Sequence, residues 1–148
     1  MTLTPMEIAL LEAQWAEKKG EVPVGAIITR GKTIIARAGN SIKATYDPTG
    51  HAEMRVIRTA CEILQNERLS DCDLYVTLEP CAMCAAAISF ARIRRLYYAT
   101  KDPKGGAVEH GPRFYQQQTC HHKPEIYTGF KEKEAAQLLK DFFTQKRR

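Results

Sequence analysis

Hydrophobic residues change their period several times along the chain, and each change marks an element. Ile8, Leu11 and Trp15 recur at helical spacing. Before them, Thr4-Pro5-Met6-Glu7 forms a capping box with proline at the first helical position, and Gly20 supplies a stop signal. This predicts a helix that packs on a core through Ile8, Leu11 and Trp15. Glu21-Val22-Pro23-Val24 then leads into an apolar run ending at Ile28, and Thr33 to Ala38 is a second β-rich run. Arg30-Gly31-Lys32 between them predicts a tight turn and so a hairpin. Gly39-Asn40 closes it, and Ser41 to Gly50 reads as a loop.

His51 opens a second helical stretch. Val56, Ile57, Ala60, Ile63 and Leu64 form its expected buried stripe, Arg55, Arg58, Glu62 and Gln65 face outward, and His51 and Glu53 fall outside the stripe at the helix start. Cys72 to Leu78 alternates as a strand, ended by Pro80, which biases Glu79 toward extended backbone. From Ala82 the chain is almost wholly apolar through Ala91, which predicts a deeply buried helix. Arg95 to Thr100 is a fourth strand, residues 101–106 a loop, and Glu125 to Tyr127 a short fifth strand. Ala135, Leu138, Leu139 and Phe142 give a last helix its core stripe. Phe143 sits at the edge of that stripe, open to core packing or to ligand contact.

Strands separated by helices imply a partly parallel sheet with helices on both faces. The expectation is one α/β domain over residues 1–148, built in three layers (α/β/α) around a central mixed sheet of about five strands. Composition narrows this little. A chain of 148 residues fits one domain with a sizeable core. No apolar run approaches the ~20 residues of a membrane span, so no membrane is expected. A formal net charge of +5 tilts toward an anionic partner, and the six Lys/Arg against three Asp/Glu over residues 131–148 make the basic end a candidate phosphate contact or a solvated tail. Five cysteines, an odd number at irregular spacing without a secretory segment, point to a reducing, cytoplasmic setting where clustered thiols bind metal.

The chemistry sits in two short stretches. Pro80-Cys81-Ala82-Met83-Cys84 places two thiols on the first turn of a helix, where the dipole favours thiolates. His51-Ala52-Glu53 begins another helix thirty positions earlier. One imidazole and two thiolates hold Zn2+ and leave its fourth position to water, which is a catalytic arrangement. Glu53, not a ligand, is then placed to move that water's proton. The carbonyl of Pro80 or a neighbour could orient a leaving amine. A closed structural zinc would need a fourth ligand from Cys61, Cys72, Cys120, His121 or His122, and would give Glu53 no role. H-x-E with P-C-x-x-C is the signature of zinc-dependent base deaminases. Asn40 reads as a turn residue or as an amide able to read a base edge.

With Glu21-Val22-Pro23-Val24-Gly25-Ala26, Gly39-Asn40, Lys101-Asp102-Pro103-Lys104-Gly105-Gly106-Ala107 and Phe142-Phe143, these motifs make nearly the whole chain resemble the bacterial tRNA-specific adenosine deaminases of the cytidine deaminase-like superfamily. The resemblance implies a cytoplasmic homodimer with one Zn2+ per subunit, converting adenosine to inosine at the wobble position of an arginine tRNA anticodon. It implies that Asn40 hydrogen-bonds the target base, that Val22 and Leu78 wall its pocket, and that Asp102 and Lys104 lie near the neighbouring nucleotides. Phe143, Lys146 and Arg147 would approach the anticodon stem-loop from the last helix. His121 would be an RNA contact, in a segment where some relatives carry asparagine before histidine. Guanine and cytidine deaminases share the zinc motif, so a free base or nucleoside is the alternative substrate. A non-catalytic zinc-stabilised RNA-binding module is the other alternative.

Overall fold

The structure, a computed structural model, describes residues 2–146. Its first helix, α1 (Pro5–Lys18), starts as the sequence predicts: Glu7 N–H donates to Thr4 Oγ1 and Thr4 N–H to the Glu7 carboxylate. The face that meets the sheet is a different one. Met6, Ala9, Ala13 and Ala16 are buried, whereas Leu11 is partly exposed and Trp15 is 57% exposed. Two glycines on the strands beneath explain this. A Cβ on Gly25 would overlap the Ala9 carbonyl oxygen, and one on Gly39 would lie 2.6 Å from the Glu12 carbonyl oxygen. Over these two glycines the helix backbone rides so close to the sheet that only alanine-sized side chains fit, while Met6 packs in the cluster with Ile27, Ala99 and Ala135.

The hairpin is β1 (Gly25–Arg30) and β2 (Thr33–Gly39), turning at Gly31 with positive φ. After the loop come α2 (Ala52–Leu64), β3 (Asp73–Leu78), α3 (Ala82–Phe90), β4 (Arg95–Thr100), β5 (Glu125–Thr128) and α4 (Glu132–Lys146). The sheet runs β2-β1-β3-β4-β5, with β1 antiparallel to both neighbours and β3, β4 and β5 parallel. Alternation sorts the two faces. Ala26, Ile28, Leu74, Val76, Leu96 and Tyr98 join the core beneath α2 and α3. Ile27, Tyr75, Tyr97 and Ala99 turn toward α1 and α4. The expected three-layer α/β arrangement with a mixed five-stranded sheet is what forms. Among the described residues no helix is long and apolar enough to cross a membrane.

Two further helices depart from their predicted burial. In α2 the buried residues are Ala52, Glu53, Val56, Ile57 and Ala60, while Ile63 is 57% exposed. At 100° per residue, positions 53, 56, 57, 60 and 64 share one stripe and Ile63 falls at its edge. Glu53 thus begins the stripe rather than lying outside it. Arg55, expected to face outward, is half-buried and donates from Nη1 to the Gly39 carbonyl at 2.6 Å. In α3 only Cys84, Ala85, Ile88 and Ser89 are buried. Met83, Ala86 and Ala87 are half-buried and Phe90 is 79% exposed, so the helix is apolar all round yet covered on one side.

The site-bearing segments meet at one end of the sheet. Strands β3 and β4 finish there, β1 begins there, and the N-termini of α2 and α3 face each other across it.

Candidate active site

Neither helix start is capped by its own N-cap side chain, because both side chains are used elsewhere. His51 and Cys81 are the N-cap residues, both with extended backbone, and they turn toward each other. His51 Nδ1 lies 3.7 Å from Cys81 Sγ and 3.6 Å from Cys84 Sγ. Ligand atoms of these three residues all lie within 4.8 Å of one another, the only such group of potential metal donors among the described residues. A tetrahedral zinc with Zn–S near 2.3 Å and Zn–N near 2.0 Å separates its donors by about 3.5–3.8 Å. The spacing and the chemistry of the donor set both fit Zn2+. The groups already compete for protons. The hydrogen bond from Cys84, with one from His51, pulls the Cys81 thiol down to about 4, while that same bond to Cys81 and then burial push the Cys84 thiol up. The hydrogen bond to Cys81 also raises the His51 imidazole.

Glu53 stands beside this group with 4% of its surface exposed. Burial raises its carboxyl to about 7, and the nearby Cys81 thiolate adds to the shift. A carboxyl near neutrality can both accept and release a proton at working pH. Above it opens a cavity of about 700 Å³, within the size range of small-molecule sites. His51, Glu53 and Cys81 form part of its lining; Val22, Val24, Asn40 and Ile42 contribute from one side, and Leu78, Thr100, Asp102 and Lys104 from the other.

Residues 2–100 match the cytidine and deoxycytidylate deaminase zinc-binding region. The chain belongs to that deaminase family. Its similarity to named relatives extends over nearly its full length. It is 59% identical over 142 residues to a tRNA-specific adenosine deaminase of Agrobacterium fabrum (strain C58), covering 96% of this chain and 93% of the relative. It is 46% identical over 140 residues to a tRNA-specific adenosine deaminase of Rickettsia bellii, covering 93% and 97%. A solved structure from a study of A-to-I editing by tRNA:A34 deaminases at the wobble position of transfer RNA superimposes with a TM-score of 0.90 at 59% identity, covering 91% of this chain and 98% of the other.

The deaminase fold gathers most of the sequence-predicted residues. Val22, Asn40, Leu78, Asp102, Lys104 and Phe143 all line the cavity with His51, Glu53 and Cys81, and Cys84 lies buried behind them. Asn40 has a second duty. Its Oδ1 accepts the Ala52 N–H at 2.8 Å, supplying the cap that His51 does not, and its NH2 remains the group able to donate into the cavity. Phe143 is 47% exposed and lines the cavity, with its ring packed edge-on against that of Phe142.

Two predicted residues lie elsewhere. Pro80 is buried off the cavity lining, and its carbonyl accepts the Ala107 N–H at 2.8 Å. His121 is exposed beyond the other end of α3, its carbonyl taking Arg92 Nη1 at 3.4 Å. Of Lys146 only the helical backbone is described, and Arg147 lies outside the described residues. The remaining candidate ligands stand apart from the metal group. Cys120 donates to the His122 carbonyl at 3.2 Å, and His122 Nε2 pairs with the Ile93 carbonyl at 2.7 Å, which the neighbouring chain direction alone does not suggest.

Sequence patterning missed two buried carboxylates that hold the cavity walls. Glu21 accepts N–H bonds from Ile42, Lys43 and Ala44 at 3.0–3.2 Å. Glu79 accepts them from Asp102, Val108, Glu109 and His110. Burial alone would raise both carboxyls, but these N–H donors hold each below the usual carboxylate range. Their signal is a lone acid beside an apolar residue in the segments that lead into β1 and out of β3 (Gly20-Glu21-Val22, Leu78-Glu79-Pro80).

Proposed function

We propose that this deaminase-family chain hydrolyses adenosine to inosine at the wobble position of a tRNA anticodon, an arginine tRNA by its resemblance. The observation that carries the reading is the buried Glu53 carboxyl beside the His51–Cys81–Cys84 group at the floor of an open cavity. His51, Cys81 and Cys84 hold the zinc, which when bound supplies a Lewis acid that lowers the pKa of water to near neutrality. Glu53 takes a proton from the attacking water and passes it to the N1 ring nitrogen, then takes the second proton from the same oxygen and delivers it to the departing amine, which leaves as ammonia. The C6–N bond breaks and a C6–O bond replaces it.

Val22 and Leu78 flank the flipped base, and the Asn40 NH2 donates to it. Asp102 and Lys104 meet the neighbouring nucleotides, and Phe143, Lys146 and Arg147 approach the anticodon stem-loop from the last helix. A loop base suits such a site, since it is splayed out at little cost. Pro80 acts through the backbone, and His121, exposed away from the cavity, meets a part of the RNA distant from the target base. The whole chain works as one domain. The α3 face bearing Met83, Ala86 and Phe90 supports a homodimer, because it is apolar and only partly covered, with Phe90 79% exposed. A tRNA substrate supports a cytoplasmic location.

The test is to incubate zinc-loaded protein with an anticodon stem-loop, guanine and cytidine separately. Inosine in the stem-loop is expected; deamination of guanine or cytidine alone overturns the reading. Glu53→Ala should keep zinc and RNA binding while deamination falls by at least about a hundredfold. A wild type inactive on every base would instead favour an RNA-binding module.

A further inference from the structure

Strand β3 leaves the sheet at Leu78, and the next side chain is a carboxylate with no exposed surface. Glu79 Oε1 accepts the Asp102 N–H at 3.0 Å and meets His110 Nδ1 at 2.8 Å, a pairing that requires the proton on Nδ1. Oε2 accepts N–H bonds from Val108, Glu109 and His110 at 3.1, 3.0 and 3.2 Å. These donors come from both ends of one loop. Between them, Asp102, Lys104 and Gly105 line the cavity, with the Asp102 carboxylate accepting from the backbone of the other two. The loop folds tightly over the carboxylate: a Cβ on Gly106 would overlap it. A further bond, Ala107 N–H to the Pro80 carbonyl, ties the same loop to the residue before Cys81.

One side chain thus joins the cavity wall to the segment that carries the Cys81 and Cys84 thiols. A buried carboxylate surrounded by converging N–H groups is satisfied only in this loop conformation, and the loop's donors are satisfied only with it present. We propose that Glu79 is a positioning residue for the reaction, fixing the wall of residues 102–105 at a set distance from the reacting centre. The proposal rests on the cavity being the substrate site. Substrate grip depends on that wall, whereas the proton transfers depend on Glu53 and the metal group.

Glu79→Gln in the zinc-loaded protein keeps the shape but turns an NH2 toward N–H donors. Amide exchange should quicken at residues 102 and 108–110 and stay as in wild type in the central strands. With an adenosine-containing anticodon stem-loop, KM should rise about tenfold or more while kcat falls less than about threefold, and zinc content should stay at the wild-type level. His110→Ala removes one donor without a clash and covers the case in which Glu79→Gln does not fold. It should raise KM less, in the same direction, and His110→Asn, which restores a donor, should recover it. Unchanged loop exchange overturns the proposal whatever the activity. An unchanged KM, or a kcat that falls in step with lost zinc, overturns it too. A wild type inactive on RNA sinks the substrate reading instead, and leaves the exchange result to decide what Glu79 holds.

Discussion

Replacing Glu21 by glutamine should destabilise the protein in a way that depends on pH. Glu21 is 2% exposed and takes three backbone N–H donors from residues 42–44, shared between its two oxygens. Glutamine keeps one acceptor oxygen and turns an NH2 toward the Lys43 and Ala44 N–H groups. Hydrogen bonds to a charged group are worth about 1.5–3 kcal/mol each and overlap when shared, so a net loss of about 2–3 kcal/mol is expected at pH 7. For a chain of this size that is a fall in Tm of roughly 4–12 °C. The sign with pH follows from the carboxyl, which the N–H donors hold below the 4.5 of a free glutamate. Its stabilisation is fully present above 4.5, the unfolded value, and is lost as pH falls through the lower folded value. Urea denaturation of both proteins from pH 7 to pH 3 measures this, and metal loss at low pH is common to both. The two curves should converge toward the acid end. A difference that stays constant across the range, or no difference at pH 7, would refute the account of Glu21 as a buried anion holding the cavity wall.

Other outcomes follow from the metal group and from the contact of α1 with the sheet. Cys84→Ser should lower zinc affinity by more than about a hundredfold and lower stability with it, read as zinc content after dialysis and as Tm. Full zinc occupancy would remove Cys84 from the site. Gly25→Ala should cost at least about 2 kcal/mol by denaturant unfolding, since the new methyl overlaps the α1 backbone. Trp15→Ala, by contrast, should cost less than about 1 kcal/mol despite the loss of a large aromatic, because that side chain is mostly in water. If the tryptophan change proved the costlier of the two, the packing of α1 described above would be wrong.

The parts legible in the sequence are those set by local chemistry. Thr4, Pro5 and Glu7 start a helix, Gly31 turns a hairpin, and Pro80 ends a strand, each through bonds or sterics within a few residues. The metal group was legible for a related reason: C-x-x-C on one turn and H-x-E at another helix start need only a fold that brings two N-termini together. What the sequence left open was decided by neighbours distant along the chain. Leu11 and Trp15 have the spacing of a core stripe, but Gly25 and Gly39 draw the helix down on its alanine face. Glu53 has the position of a solvated first-turn acid, and becomes a buried one because the stripe of α2 begins with it. Glu21 and Glu79 carry no periodic signal at all. Their meaning lies in backbone N–H groups twenty to thirty residues later, which converge only once the cavity walls are folded around them. Sequence alone thus determined the residues that can hold a metal and move a proton. The tertiary structure decided which side chains hold those groups still, because that depends on where the backbone of other segments points its hydrogen-bond donors.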